Sequence, residues 1–367
     1  MQLLKLALFI AIGFTIARIT GIQGLGNDSW YGTVVASLLA IGLYASTYGI
    51  DLKEARQHLR IIVSAVTIGV VLKALIIGGS LAFLFQDPFF FVLGIAVAQI
   101  DPLSVAGLLK GDRMSPKAKT ILASWASFDD PVTVILSVYA PLLVAHMTGL
   151  DLGPAVGSAG VSSGATGYVQ GLGLNFLLAG SAFIAWLFIR NNAKKRSPRV
   201  VALLSIGTYV LLGGVFSISV VYFTMLGIAL VGLFLRPAKI DAYIEHAVTW
   251  ALRAAAIVLG LLLVGGVYLW KGVALGATAY FAQVIVGFLL TRGLPEKDRW
   301  HISFAQQNGI TAIILALLFE PMHKGTVAIV APAIIVINSL NWALNKIVDR
   351  RLALVKTLGA MREAELG

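Results

Sequence analysis

Two adjacent carboxylates, Asp129 and Asp130, sit inside an apolar stretch that runs from about Ala118 to Val144, with no other charge between Lys119 and His146. A bilayer-spanning helix takes ~20 residues, so this stretch is long enough to carry both acids to mid-depth. An ionisable group there costs roughly 3 kcal/mol or more on insertion scales, and such groups mark ion or proton pathways. A pair of acids wetted at a helix end is the plainer reading, but these two fall in the middle of the run. Pro131 follows them. It donates no backbone N–H, so the carbonyl of Ser127 loses its helical partner. Two carboxylates and a freed carbonyl oxygen in one place suit a hard cation or a proton. Helix spacing puts Ser127 on the Asp130 side and Asp129 about 100° away. The two acids are therefore not equivalent: one can face an ion cavity while the other leans toward a neighbouring helix or a basic partner. Burial and a nearby like charge favour the neutral form of a carboxyl. Once ionised, the same group is a good oxygen ligand for Na⁺ or Li⁺. Proton and cation then compete for one site, and exchange needs no more than that competition.

A third acid lies in Gln99-Ile100-Asp101-Pro102. Pro102 frees the carbonyl of Ala98 and biases Asp101 away from helix. The simplest alternative is a kinked helix with Asp101 capping the half that follows, and a capped half-helix is also what a discontinuous span looks like. Gln306-Gln307-Asn308-Gly309 interrupts another apolar run in the second half of the chain. Amide side chains alone can serve helix–helix hydrogen bonding. Two interrupted spans in comparable positions of two halves point instead to an inverted-repeat secondary transporter, with irregular backbone lining a cavity.

The elements that must position these residues follow from composition. The 367 residues are 58% hydrophobic and 12% charged, with a mean hydropathy of +0.89. Soluble domains carry about 25% charged residues. The chain reads as an all-α polytopic membrane protein. Long apolar runs exclude a soluble enzyme, and the short alternating segments of a β-barrel are missing. Without cysteine there are no disulfides or thiolate metal sites, and no cofactor is expected. About twelve spans are expected, near 3–20, 31–50, 61–86, 89–110, 117–146, 168–190, 199–213, 216–235, 246–265, 271–291, 300–319 and 325–346. The first, Leu3–Ile19, lacks a cleavage site and is read as a retained span. The Gly-, Ser- and Ala-rich loop at Met147–Gly167 shows no chemistry.

Basic residues collect in alternate loops: Lys53, Arg56 and Arg60; Lys110, Arg113, Lys117 and Lys119; Arg190, Lys194, Lys195, Arg196 and Arg199; Arg236 and Lys239; Arg292, Lys297 and Arg299; and the C-terminal tail. By the positive-inside rule both termini are cytoplasmic in a cell (inner) membrane. The same placement accounts for most of the net charge of +11 without a nucleic-acid partner. Apart from these and from Arg18, Lys271 and Lys324 near the other span ends, two basic residues remain, both within spans. Arg253, near a cytoplasmic end, can snorkel. Lys73 has no such escape and must face a carboxylate or an aqueous cavity.

These residues together resemble the monovalent cation:proton antiporter superfamily, the sodium/proton exchangers. Asp129-Asp130 is similar to its two-aspartate motif in the fifth span, Ile100-Asp101-Pro102 to the Thr-Asp-Pro element of its unwound fourth span, and Ala305–Ala312 to the break in its eleventh. The resemblance implies inverted repeats with two crossed discontinuous helices. It implies an ion-translocating core of residues 61–147 and 271–347, a dimerisation scaffold of 1–60 and 168–265, a cytoplasmic tail of 348–367, a homodimer, and an elevator-like motion of the core. Asp130 would be the essential ion-binding acid and Asp129 its partner, with Asp101 and Ser127 beside them. Ile100, Pro102, Gln306, Gln307 and Asn308 would support the crossing. Two positions depart from the pattern. Ile100 replaces the threonine hydroxyl. The tenth-span lysine that pairs with the first Asp has Ala282 or Gln283 in its place. An amide cannot carry a second proton, so Lys73 is the candidate substitute, the third and tenth spans being related by the inverted repeat. The expected function is exchange of protons for Na⁺ or Li⁺. A proton-coupled transporter of K⁺ or another small ion on the same scaffold is the alternative. An intramembrane aspartyl protease is a remote one, since Gly-x-Gly-Asp is absent around both acidic sites, and no repeated pore-loop filter suggests a channel.

Overall fold

The computed structural model describes the backbone of residues 2–21, 25, 28–50, 52–109, 113–148, 165–193, 198–237 and 240–366. Most of the Gly/Ser-rich loop after Met147, and Lys110, Lys194, Lys195, Arg196 and Lys239 of the basic loops, lie outside the described residues. Every regular element described is helical, as hydrocarbon demands of a chain whose backbone polar groups must be satisfied internally. Seven of the described helices are long and apolar enough to cross a bilayer.

The first spans are α1 (Gln2–Thr20) and α2 (Ser29–Tyr48), followed by the short α3 (Leu52–Gln57). The third span combines α4 (Leu59–Ser64) and α5 (Val70–Phe85) through one π-helical turn at Ala65–Gly69, one turn before Lys73. The fourth span is broken into α6 (Phe90–Ala98) and α7 (Pro102–Leu109), and α8 (Pro116–Thr148) runs unbroken through Pro131 and Pro141. After α9 (Ala165–Ala193) the boundaries differ from those expected. Instead of spans at 199–213 and 216–235, α10 (Pro198–Tyr222) continues through Gly213-Gly214, and the chain turns at Phe223, whose φ is +53°, into α11 (Met225–Gly232). A glycine pair weakens a helix by about 1 kcal/mol per residue, too little to outweigh unpaired backbone in lipid. Next come α12 (Asp241–Leu262) and α13 (Leu269–Leu290). The eleventh span is broken into α14 (Glu296–Ser303) and α15 (Ile310–Phe319), and α16 (Thr326–Leu366) continues as one helix through the expected tail.

The order of α5–α8 recurs in α13–α16: a straight helix, a broken helix, then a long helix with proline inside it. This is the inverted repeat in element form. In each repeat glycines let backbones touch. A Cβ at Gly94 of α6 would meet the Gly78 nitrogen of α5 at 2.8 Å, and one at Gly276 of α13 would meet the Ala333 carbonyl oxygen of α16 at 2.6 Å. We expect Gly94→Ala to force α5 from α6 and lower stability by about 1–3 kcal/mol, measured by thermal melting in detergent. At the far end of both broken spans, the turn at Asp87 meets the turn after α15: His323 Nε2 lies 3.4 Å from Asp87, and its ring stacks on Phe89 at 4.4 Å. Elsewhere α1 and α12 cross through Gly13 and Gly260, which face the carbonyls of Ile257 and Ile10.

Candidate functional site

The two broken helices meet at their breaks. Gln99, Ile100 and Asp101 leave helical geometry between α6 and α7, and residues 304–309 do so between α14 and α15. The Asp101 N–H donates to the Gln307 carbonyl at 2.9 Å, and Asp101 Oδ2 accepts the N–H of Ile310, the first residue of α15, at 2.9 Å. The sequence suggests Asp101 as a cap for the half-helix following it. In the fold its carboxylate caps the start of the opposing broken helix, where orphan N–H groups and the helix dipole favour negative charge. Asp101→Ala is expected to cost about 1–2 kcal/mol, the scale of a lost cap, and Asp101→Asn less, since its amide oxygen can still accept. Melting temperatures of the two variants check the order.

Amides fasten the rest of the crossing. Gln306 Nε2 reaches the carbonyls of Val97 (2.9 Å) and Gln99 (2.8 Å), and Asn308 Nδ2 reaches Val97 (3.1 Å). These are carbonyls that the break in the fourth span leaves without helical partners. Behind them α16 presents Asn338, Asn341 and Asn345 on one face. Asn338 pairs with the backbone of Asn308 through both amide atoms, accepting its N–H at 3.1 Å and donating to its carbonyl at 3.0 Å. Asn341 bonds Gln307 and the Phe304 carbonyl, and Asn345 also reaches Phe304. The α16 amides escape notice in the sequence, although their spacing of three and four residues in an apolar run is a readable signal for one helical face.

The tandem acids sit on α8 directly beneath this crossing. Asp129 Oδ2 receives the Lys73 ammonium at 3.0 Å and the Ile100 N–H at 2.8 Å. Both side chains of the ion pair are fully buried, with the Trp125 ring 5.7 Å from the Lys73 nitrogen. Lys73 thus meets a carboxylate, as its depth requires. Asp130, 2% exposed, accepts a hydrogen bond from the Thr311 hydroxyl at 3.0 Å through Oδ2, while Oδ1 has no partner among the described residues. Thr311 stands in the first turn of α15, near the dipole end that favours an anion. The non-equivalence expected from helix spacing is therefore realised. One acid is matched by a cation and a backbone donor, and its neighbour by a single hydroxyl.

The remaining expected residues are less engaged. Ser127 is buried one turn below Asp130. Pro102 begins α7, and Ile100 is buried in an apolar cluster with Val105, Ile121 and Trp125. Gln283 of α13 is fully buried, yet its amide has no hydrogen-bond partner among the described residues, so it does not join the Asp129 pair. Arg253 lies over the rings of Phe9 and Trp250. Among the described residues no three His, Cys, Asp or Glu cluster as a metal site would require.

The sequence profile of the family described as "Sodium/hydrogen exchanger, transmembrane" matches residues 4–340. Among solved structures, the sodium proton antiporter MjNhaP1 from Methanocaldococcus jannaschii at pH 8 has a similar fold, with a TM-score of 0.63. It is 16% identical in sequence, and the likeness covers 91% of this chain and 92% of that one. At so low an identity the likeness speaks for architecture, and the family match carries the rest. A match over nearly the whole length, on a fold whose broken helices cross above a buried acid, places the chain in the sodium/hydrogen exchanger family, as a multi-pass membrane transporter and not an enzyme.

Proposed function

We propose that the chain exchanges protons for Na⁺ or Li⁺ by alternating access at Asp130, with Asp129 and Lys73 as an adjacent charge-compensated pair. One observation carries this reading: Asp130 is a buried carboxylate with one oxygen on a hydroxyl and the other without a partner among the described residues. A charge in that position is neutralised by a proton or by a cation. It cannot hold both, so loading one releases the other. An inward proton gradient then expels the cation.

The moving body is the core of residues 61–147 and 271–347. The bonds between the two breaks, and from each break to α8 or α16, support its motion as a unit. Residues 1–60 and 168–265 form the scaffold through which two copies pair. There α9 and α10 are the least enclosed of the long apolar helices, which leaves them for lipid or a second copy. The charge alternation puts both termini on the cytoplasmic side of a cell membrane. Proteoliposomes loaded with a pH-sensitive dye and pulsed with Na⁺, Li⁺ or K⁺ across pH 6–9 test the reading. Dequenching by Na⁺ or Li⁺ is expected. A response to K⁺ alone would transfer the site to that ion, and no response to any cation would overturn exchange.

A further inference from the structure

The face of α8 that carries Asp130 continues toward Thr148 as Thr133 and Ser137. Positions i, i+3 and i+7 stack in one stripe, and the two hydroxyls lie ~4.5 and ~10 Å along the axis from the acid. Both side chains are fully buried, and neither hydroxyl has a hydrogen-bond partner among the described residues. Among the described residues Ser303 shares this state, but singly, at the end of α14. Thr47 and Thr291, equally enclosed, donate back to the carbonyls of Leu43 and Gly287 one turn earlier, and lipid-facing Thr15 and Ser217 do the same. That local bond is available to any helical Ser or Thr. Two neighbours that forgo it on one stripe keep their oxygens free at a depth where an unpaired polar atom is costly.

Proline adds a third oxygen. Pro141 stands four residues after Ser137 within the unbroken helix, so the Ser137 carbonyl loses its partner. The same Ser-x-x-x-Pro arrangement occurs ten residues earlier, at Ser127 and Pro131 beside the acids. The helix thus frees a serine carbonyl twice, about 15 Å apart. At the first place the neighbours are carboxylates. At the second they are neutral oxygens alone.

We infer that Thr133 and Ser137 with its freed carbonyl form a second, uncharged station, a ladder of oxygens about one turn apart that a partly dehydrated monovalent alkali cation passes in steps, on the Thr148 side of Asp130. The inference rests on Asp130 as the exchange site. Hydroxyl and carbonyl oxygens replace part of a cation's hydration shell, and without a net charge they hold it loosely enough to pass it on. The charge alternation puts this end of α8 outside, so the cation meets the station after leaving the acid. A neutral station has no proton to trade. Its signature is an effect on the cation that leaves the pH dependence alone.

The test compares Thr133→Val and Thr133→Val/Ser137→Ala with wild type in proteoliposomes, each assayed with Na⁺ and Li⁺ across pH. Valine keeps the shape of threonine and removes its oxygen. The expected result for the double variant is a rise of about tenfold in the apparent KM for cation, the scale of one polar contact to a charge. The pH of half-maximal exchange stays in place, and Thr133→Ser restores the wild-type KM. An unmoved KM for both cations overturns the station, as does a fall in maximal rate alone, which would mark a packing role. If the double variant does not insert, Thr133→Val against Thr133→Ser decides by the same criterion. Asp130→Asn is assayed alongside. If it loses exchange while the hydroxyl variants keep their KM, the station fails and the Asp130 reading stands. If it retains exchange, that reading fails first and the station with it.

Discussion

Asp130→Asn is expected to abolish cation-dependent proton release from proteoliposomes and to leave the protein at least as stable as wild type. The amide offers neither a proton nor a full negative charge. A carboxylate and a cation about 4 Å apart attract by about 4 kcal/mol at an effective dielectric near 20, so a loss of exchange of at least about 100-fold follows. Stability is not at risk, because no basic side chain among the described residues is paired with this one. Among them its hydrogen bond comes from the Thr311 hydroxyl, which an amide oxygen accepts as well. Removing a weakly compensated charge from the interior is neutral or favourable. The neighbouring substitution behaves in the opposite way. Asp129→Asn strands the Lys73 ammonium, which has no other carboxylate partner among the described residues, and breaking a buried pair costs about 3–5 kcal/mol. That variant should melt earlier than wild type yet keep some exchange, with an altered number of charges moved per cation. The same change at adjacent residues thus separates activity from stability in reverse order. Dye dequenching reads the first and thermal melting the second. Full exchange in Asp130→Asn would remove the acid from the mechanism.

Much of this arrangement was legible because lipid makes the rules strict. A lysine at mid-depth has few lawful surroundings, and Lys73 found one of them. Helix spacing alone separated Asp129 from Asp130. The two polar interruptions pointed to repeats that the element order now displays. Other features depended on contacts between distant segments. Asp101 and Pro102 announce a break, but nothing in them says that the carboxylate will cap α15, some two hundred residues away, because capping partners across a crossing carry no local spacing signal. The break in residues 304–309 runs beyond its amides for a similar reason: the Phe304 carbonyl is held by Asn341 and Asn345 of another helix. Gly213-Gly214 misled in the other direction. Glycine punctuates chains in water, where freed backbone finds solvent, whereas in α10 the backbone has no such outlet and the helix runs on to Tyr222. Gln283 lay where a basic partner was expected, but the fold met that need from α5.

That substitution leads to the second large effect, on how many protons move per cation. In the proton-loaded site Asp130 is neutral and the Lys73–Asp129 pair sums to zero. A cation arriving between the acids places a like charge beside the ammonium and draws Asp129 toward itself, which favours release of the Lys73 proton along with that of Asp130. On the exchange proposed above, the expected cycle then releases two protons for one cation and carries current. Lys73→Gln removes the second carrier. Asp129, left with the Ile100 N–H as its donor and too enclosed to hold an uncompensated charge, keeps its own proton through the cycle. Asp130 alone exchanges, one proton for one cation. We therefore expect Lys73→Gln vesicles to take up cation under an imposed pH gradient but not under an imposed voltage, with the pH of half-maximal exchange displaced by at least about one unit, the scale on which a nearby charge shifts an acid. Wild-type vesicles should respond to both gradients. If Lys73→Gln keeps its voltage response and its pH profile, the ammonium is a structural clamp for α5 on α8, and the second proton, if one moves, is carried elsewhere.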